Sequence, residues 1–235
     1  MLAIYKREMR AYFTGVIGYA FLVIFLAVGA AIFSLTTLVA MTADVSSYFL
    51  YMMIFSAVML PLLTMKSFSE ERKIKTEQLV LTSPVSLTSM VMGKFLAALT
   101  MFGGASFVSS LSFLCLYPYA SIKTAMLLGN FIALLLVGTT FLSIGLFVSS
   151  LTENQLSAAV GTMAIIVAFL VIGLVNMLLP ASFWLRYVFD CVSIFTRFQT
   201  FTNGYFDLSS LLYYLSVTAV FVYLTIRIYD RRRYN

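Results

Sequence analysis

The sequence contains no histidine and only two cysteines, Cys115 and Cys191, in 235 residues. Without histidine, the chain can build neither a Ser-His catalytic dyad nor a histidine-ligated metal site, so we expect no catalytic residue and no metal. The topology derived below puts both cysteines near the same membrane face, which would allow a disulfide. Two separately buried thiols are the favoured alternative, because cysteine is commonly buried without a partner.

Charge is also scarce. Charged residues make up 10% of the chain and hydrophobic residues 62%, whereas about 25% of an ordinary globular domain is charged. A soluble domain is therefore excluded, and the chain is predicted to be an integral membrane protein with the lipid bilayer as its surroundings. The net charge of +6 would suggest nucleic acid in a soluble protein, but here membrane topology explains it, and no nucleic-acid partner is expected.

Six stretches lack charged residues and are each long enough for the roughly 20 residues that a membrane-spanning helix needs. They predict an all-α polytopic membrane protein with one transmembrane domain over residues 1–235. A charge at mid-bilayer costs about 2.5 to 3.5 kcal/mol, so Lys66, Lys94, Glu153 and Arg227 are expected at span ends. The predicted spans are 17–39, 47–65, 95–117, 125–149, 156–179 and 209–228.

The distribution of basic residues predicts the orientation. An even number of spans puts both termini on the same side as the 66–94 loop and the turn around Glu153. Twelve of the fifteen lysines and arginines lie on that side, and Lys123, Arg186 and Arg197 lie on the other. Because cytoplasmic loops carry an excess of basic residues, the termini and the 66–94 loop are predicted to be cytoplasmic.

Residues 1–14 predict an amphipathic helix lying in the membrane interface. The apolar residues Leu2, Tyr5, Met9, Tyr12 and Phe13 recur at helical spacing, and basic residues occupy the remaining arc. The polar part of this helix includes Lys6, Arg7 and Glu8.

The stretch from Ser67 to Lys94 is the most polar between the spans and carries helix-boundary signals. Ser67 and Glu70 have capping-box spacing, which predicts a separate helix starting near Ser69. The helix should stop before Pro84, and Ser83 is expected to cap the next helix with Pro84 at its first position.

Within this stretch, the run from Glu70 to Ser86 followed by Gly93-Lys94 resembles the first cytoplasmic loop of ABC-2 type transporter permeases. Tyr5 to Phe13 with Gly18-Tyr19, and later Gly204 to Asp207 with Tyr213 to Ser216, resemble the gliding-motility-associated branch of that family. The resemblance implies the permease subunit of an exporter, with a coupling helix that contacts a separate ATPase. The implied coupling residues are Glu70, Glu71, Arg72, Lys73, Thr76, Glu77, Leu79, Leu81, Ser83 and Pro84.

The same resemblance implies the rest of the assembly. The chain has no phosphate-binding Gly-Xaa4-Gly-Lys-Ser/Thr loop, so ATP and Mg are expected on the ATPase, in two copies. Six spans are half of the family's usual set, which implies a second permease subunit, identical or related, in the plasma (inner) membrane of a prokaryote. An accessory extracellular protein is compatible with this arrangement.

Residues 180–208 are rich in aromatics and are predicted to dip into the outer interface as short re-entrant helices before the last span. If helical, Arg186, Asp190 and Arg197 share one face, and Asp190 can pair with Arg186. The resemblance to ABC-2 permeases, whose short outer helices before the last span close the translocation path, implies that these three residues and Trp184 form the outer gate.

Two other classes of function stay open at this point. A secondary transporter driven by an ion gradient would be expected to place ionisable groups near the midplane, where this sequence has none. An intramembrane enzyme would need acid-base groups, and the sequence offers no paired intramembrane carboxylates.

Overall fold

The computed structural model describes residues 1–42, 44–76, 86–116, 124–178, 193–202 and 207–234. The regular structure of these residues is helical, without strands. A π-helical segment, Ser34–Val39, extends the second helix, and a 3-10 segment, Leu111–Leu116, extends the fourth. In chain order the helices are α1 (Leu2–Thr14), α2 (Val16–Phe33), α3 (Val45–Lys73), α4 (Leu87–Ser110), α5 (Thr124–Leu151), α6 (Gln155–Leu178), α7 (Ile194–Thr202) and α8 (Leu208–Tyr234).

Six of these helices are long and apolar enough to cross a membrane, which confirms the predicted number of spans. The chain alternates between two ends of the bundle. We name the end that holds both termini and the turn around Glu153 the basic end, and the other the opposite end. The candidate spans are Val16–Val39, Val45–Lys73, Leu87–Leu116, Thr124–Leu151, Gln155–Asn176 and Leu208–Arg233.

The helices extend further towards the basic end than predicted. The prediction that Lys66 and Lys94 lie at span ends is therefore wrong. Lys66 lies inside α3, which continues to Lys73, and Lys94 lies inside α4, which begins at Leu87. Neither lysine is at a helix end. The charge-free runs gave the apolar extent of each span, but α3 continues past the partly exposed Lys66, and α4 contains Lys94, whose charge is compensated by Glu8 and Glu71.

The centre of the bundle is formed by α3 and α5, which pack most extensively against each other and have the largest buried shares among the spans. A β-carbon at Gly145 would overlap the hydroxyl oxygen of Thr64. The glycine thus lets the two backbones approach closely, which is how helices in membranes gain packing contacts.

α1 forms over the predicted residues and packs against α4 and α2. Its packed side contains Ile4, Tyr5, Glu8, Met9 and Tyr12, all partly buried. Leu2 and Phe13, which were predicted on that apolar face, are 74% and 45% exposed. The packed face is thus rotated to include an acidic residue, Glu8.

The cysteine prediction is wrong for Cys115. Its side chain is exposed in the 3-10 segment after α4 and forms no disulfide. Cys191 lies outside the described residues.

Candidate functional site

At the basic end of the bundle, α3 ends and α4 begins on either side of the polar stretch that the sequence singled out. The last turn of α3 closes with Ile74 N–H donating to Glu70 O and Lys75 N–H donating to Arg72 O. Lys75 has a positive φ of 57°, the left-handed conformation that commonly ends a helix. The chain re-enters at Leu87, where the Ser86 hydroxyl caps α4 by accepting from Ser89 N–H at 3.3 Å.

Two predictions about this stretch are corrected. No separate helix begins near Ser69, because α3 is continuous from Val45 to Lys73. Inside that helix, the Ser69 hydroxyl donates to Met65 O, one turn earlier in the chain. Serine hydroxyls within helices often form this hydrogen bond. The helix entering the third span has Ser86 as its N-cap, while Ser83 and Pro84 lie outside the described residues.

Because α3 is continuous, Glu70 and Glu71 lie near its carboxyl end and not at a helix start. A carboxylate there faces the negative end of the helix dipole, which is unfavourable unless cations compensate. For Glu71, the structure supplies two such cations.

These cations belong to a four-residue network that we name the root cluster: Arg7, Glu8, Glu71 and Lys94. The Arg7 guanidinium lies 2.8 Å from Glu8 and 2.7 Å from Glu71. The Lys94 ammonium lies 2.9 Å from Glu71 and 3.4 Å from Glu8. Each acid therefore meets both bases, and the closed ring joins α1 and α4 to the last turns of α3.

Lys94 is the buried member of the root cluster, with a side chain only 1% exposed. Its ammonium also donates to Ser67 O and lies 4.8 Å from the centre of the Phe68 ring. Its three N–H donors thus have three acceptors. Removing one partner of such a buried pair typically costs about 3 to 5 kcal/mol, because the other charge is left uncompensated.

Gly93 explains how α1 comes close enough to complete the ring. A β-carbon at this position would lie 3.0 Å from Ile4 Cγ2 and 3.1 Å from Ile4 Cβ, tighter than ordinary van der Waals contact. The Gly93-Lys94 pair therefore combines close approach of α1 with a charge that holds it.

A second set of contacts ties the end of α3 to the turn between α5 and α6. Arg72 pairs with Glu153 at 2.9 Å and donates to Leu151 O at 2.8 Å. The Ser149 hydroxyl oxygen accepts from the backbone amides of Phe68 and Ser69 at 3.1 and 3.2 Å. We name Arg72, Ser149 and Glu153 the turn clamp.

The last span joins the same region. The Tyr229 ring lies 4.9 Å from the Phe68 ring, on which the Lys94 cation also lies. Arg232 donates to Ser150 O at 2.7 Å. Elements α1, α4, α5 and α8 thus all contact the terminal turns of α3.

The structure places the coupling residues only in part. Glu70, Glu71, Arg72 and Lys73 lie in the last turns of α3, and Thr76 lies just beyond. Lys66 and Glu70 form an exposed pair at 3.9 Å. The predictions for Glu77, Leu79, Leu81, Ser83 and Pro84 lie outside the described residues.

Sequence reasoning missed Lys94, Phe68, Ser149 and Tyr229 as site residues. Lys94 offered a signal, since it is an isolated charge next to a glycine at the edge of an apolar run. Nothing local distinguished the other three from ordinary span residues.

At the opposite end, α7 precedes the last span as expected. Ile194, Phe195, Phe198 and Phe201 form its buried face, which packs against α5 and α6. Tyr214 of α8 donates to Ile194 O at 2.8 Å. This short helix is thus packed into the end of the bundle.

Of the expected outer gate, only Arg197 is described. Its guanidinium lies 4.6 Å from the Tyr213 ring centre and donates to the Ser209 hydroxyl at 3.3 Å. Trp184, Arg186 and Asp190 lie outside the described residues, so the pairing of Arg186 with Asp190 stays a prediction.

Asp207 caps the last span beside Arg197. It accepts from Ser209 N–H at 3.0 Å and from the Ser210 hydroxyl at 2.6 Å. The hydrogen bond from the Ser210 hydroxyl, followed by that from the Ser209 amide, holds the pKa of Asp207 below its ordinary value of 3.8, and the nearby Arg197 adds to this.

Comparison with known families gives one assignment that covers nearly the whole chain. Residues 2–233 match the family described as ABC-2 family transporter protein. A search among curated proteins finds no match. Since the match extends over all six spans, the chain belongs to the ABC-2 transporter family and is a multi-pass membrane protein.

Proposed function

We propose that the chain is the permease subunit of an ATP-driven ABC transporter, of the exporter type, whose ATP is bound and hydrolysed by a separate subunit. Family membership supports the permease role. The sequence contains no phosphate-binding loop of its own. ATP and Mg would therefore be bound by the partner.

The observation that carries the proposal is the root cluster, which joins α1 and α4 to the last turns of α3. In our proposal the ATPase docks on the stretch from Glu70 to Leu81, which starts in the last turns of α3. A displacement of that stretch would act on the end of α3, where the buried Lys94 links Glu71 to Glu8 across three helices. Because these contacts are short and enclosed, the force would pass to α1 and α4 together.

The turn clamp offers a second route by which movement could pass from the end of α3 to other spans. Arg72 is the residue next to Glu71, and it contacts Leu151 and Glu153 in the turn between α5 and α6. Movement of α3 would thus also reach α5 and α6. We propose that this turn lies next to the docked ATPase.

We propose that the basic end faces the cytoplasm of a prokaryote, with the chain in its plasma membrane. Twelve of fifteen basic residues lie at that end, which is the bias found for cytoplasmic loops. In a variant lacking Cys115 and Cys191, a cysteine at Thr76 should react with an impermeant maleimide only from inside the cell. One at Met41, which is 91% exposed at the opposite end, should react only from outside, and the reverse pattern would invert the orientation.

The proposed assembly contains two permease subunits, identical or related, and two ATPase subunits. The packed α7 with Arg197 would lie at the outer end of the path between the permeases. An accessory extracellular protein is compatible with this arrangement.

We also propose that the chain belongs to the gliding-motility-associated branch. The amino-acid sequences from Tyr5 to Phe13 and from Gly204 to Asp207, which resemble that branch, support this placement. Gly15-Val16 departs from the Ser-Pro that members of the branch often have at that point.

The experiment compares wild type with Glu77→Lys after co-expression with the ATPase subunit. Like charges brought together at a docking face cost several kcal/mol, so Glu77→Lys should accumulate normally but lose copurified ATPase and stimulated ATP hydrolysis. Asp230→Lys is the matched control, since Asp230 lies at the same end of the bundle but in α8. Equal ATPase recovery for both variants would contradict the proposed docking site, and flux driven by an ion gradient without ATPase would favour a secondary transporter.

A further inference from the structure

A groove runs between the first two spans at the opposite end of the bundle, away from the root cluster. Its volume is about 730 Å³, within the range of pockets that hold drug-sized ligands. One wall is the last part of α2 with the π-helical segment, and the other is the first half of α3. The lining residues are Ile32, Leu35, Thr36, Ala40, Thr42, Asp44, Ser47, Tyr51, Ile54, Phe55 and Val58.

The groove changes from polar to apolar along its length. Thr42, Asp44 and Ser47 lie at its mouth, and Ile54, Phe55 and Val58 lie at its far end. From Asp44 to Val58 the chain advances by about 20 Å at 1.5 Å per helical residue, somewhat more than the roughly 15 Å of one leaflet's hydrocarbon. The groove therefore extends from the membrane interface to about the midplane.

The hydrogen bonds at the mouth determine what headgroup it can accept. Thr42 donates its hydroxyl proton to Thr36 O at 3.1 Å, and Thr36 donates to Ile32 O at 2.8 Å. Ser47 donates to Asp44 Oδ2 at 2.5 Å. All three hydroxyl protons are thus used inside the protein, and only oxygen lone pairs remain to face a ligand.

The charge at the mouth of the groove also favours a headgroup that donates hydrogen bonds. Asp44 is exposed, and among the described residues that line the groove it is the only charged one. The positive end of α3 is already met by Asp44, which accepts from the amides of Ser46 and Ser47. The mouth therefore favours a cationic group that donates hydrogen bonds over an anionic one.

The Tyr51 hydroxyl is a hydrogen-bond donor that lies deeper in the groove. If the ammonium of a lipid headgroup lay at the mouth, the lipid phosphate would lie at this depth. Tyr51 is one helical turn below Ser47, and within the described residues no hydrogen bond engages its hydroxyl. Tyrosine commonly occupies this depth, with its ring in the apolar region and its hydroxyl at the headgroups.

From these features we propose that the groove is a binding site for a phospholipid with a primary ammonium headgroup, of the phosphatidylethanolamine type. The ammonium lies at Asp44, the phosphate accepts from Tyr51, and an acyl chain follows Ile54, Phe55 and Val58. This site is independent of the proposed coupling to an ATPase, because its residues and its ligand involve the permease chain alone.

The test measures lipid binding to the purified full chain in detergent by native mass spectrometry, with the melting temperature as a second readout. The probes are phosphatidylethanolamine, phosphatidylcholine and phosphatidylglycerol with identical acyl chains. We expect the first to bind best, phosphatidylcholine less well because its headgroup has no N–H donor, and anionic phosphatidylglycerol least. Equal binding of the three lipids would overturn the proposal.

Two variants separate the headgroup from the acyl chain. Asp44→Asn keeps a good helix cap but removes the charge, so it should reduce phosphatidylethanolamine binding about tenfold and abolish the preference. Ile54→Trp should fill the apolar end and reduce the binding of every lipid. Val167→Trp is the control, since Val167 lies on α6 and is 46% exposed outside the groove.

The remaining occupant of such a groove would be a second copy of the chain. If a second copy fills it, Tyr51→Cys should form a disulfide between two chains in the membrane, and Ile54→Trp should dissociate the dimer without changing lipid selectivity. Either result would overturn the lipid assignment.

Discussion

Lys94 and Glu71, which lie on either side of the polar stretch in the chain, form an ion pair of 2.9 Å. Glu71 belongs to the last turns of α3 and Lys94 to the first half of α4. The pair therefore links the end of α3 to the beginning of α4 and holds these two helices together. Glu8 and Arg7 extend this link to α1.

The first prediction concerns the buried charge in this pair. Lys94→Met should destabilise the chain by about 3 to 5 kcal/mol, because Glu8 and Glu71 would keep only the half-exposed Arg7 as a cation. The measurement is the melting temperature of the purified permease in detergent. Adding Glu71→Gln to Lys94→Met should recover part of the loss, since one uncompensated carboxylate is removed.

Lys66→Met is the matched control for Lys94→Met. Lys66 forms a 3.9 Å pair with Glu70, and its side chain is 41% exposed, so its removal should cost less than about 1 kcal/mol. Similar melting temperatures for the two methionine variants would show that the root cluster does not stabilise the fold.

The second prediction concerns the close approach of α1. Gly93→Leu should push α1 away from α4, because even a β-carbon at this position lies 3.0 Å from Ile4 Cγ2. We expect a lower melting temperature and faster trypsin cleavage after Arg7 or Arg10. Gly104→Leu in the same helix should leave both properties unchanged, since a β-carbon there meets nothing within 4 Å. Fast cleavage in both variants would mean that α1 is not held through Gly93.

The spans could be predicted from the sequence because the membrane imposes a simple requirement. A helix that crosses the bilayer needs about 20 apolar residues, and the charge-free runs in this chain match all six long helices. The ends of α3 and α4 could not be predicted in this way. There, α3 continues past Lys66, which is partly exposed beside Glu70, and α4 includes Lys94, whose charge the other members of the root cluster compensate.

The root cluster itself could not be predicted because its members are far apart in the chain. Glu8 appeared to belong to the polar face of an interfacial helix, and only the packing of α1 against α4 brings it to Lys94. The capping signal of Ser67 and Glu70 failed for a related reason. Ser67 O accepts from Lys94 and the Ser69 amide donates to Ser149, so tertiary contacts outweigh the local signal.

The third prediction is a pH dependence at the opposite end. The pKa of Asp207 is lowered in the folded chain from its ordinary value of 3.8, so its ionised form contributes stability at pH values above that unfolded pKa. This contribution is lost as the pH falls through the lower folded pKa. Asp207→Asn should therefore melt below wild type at pH 7, and the difference should shrink as the pH falls below about 4.

Asp230→Asn provides the comparison for Asp207. Asp230 forms only an exposed i,i+3 pair with Arg227 at 3.7 Å, so its replacement should change the melting temperature little at either pH. A constant difference between wild type and Asp207→Asn across the pH range would show that the cap acts through shape and not through charge.

The fourth prediction separates stability from coupling at the turn clamp. The Arg72–Glu153 pair is partly exposed, with side chains 23% and 66% accessible, so breaking it should cost less than about 1 kcal/mol of stability. Glu153→Arg places a second cation beside Arg72 and should push the turn between α5 and α6 away from the end of α3. If the turn transmits movement from a docked ATPase, this variant should keep its melting temperature and its copurified ATPase but lose substrate-stimulated ATP hydrolysis.

The charge swap completes this prediction. Arg72→Glu combined with Glu153→Arg restores opposite charges at the same two positions, although the hydrogen bond from Arg72 to Leu151 O is lost. Stimulated hydrolysis should therefore recover in part in the double variant, whereas each single variant stays low. If the double variant is as inactive as Glu153→Arg alone, the ion pair does not carry the movement. If Glu153→Arg is as active as wild type, the turn is not part of the route from α3 to α5, and the root cluster alone would connect the docking segment to the spans.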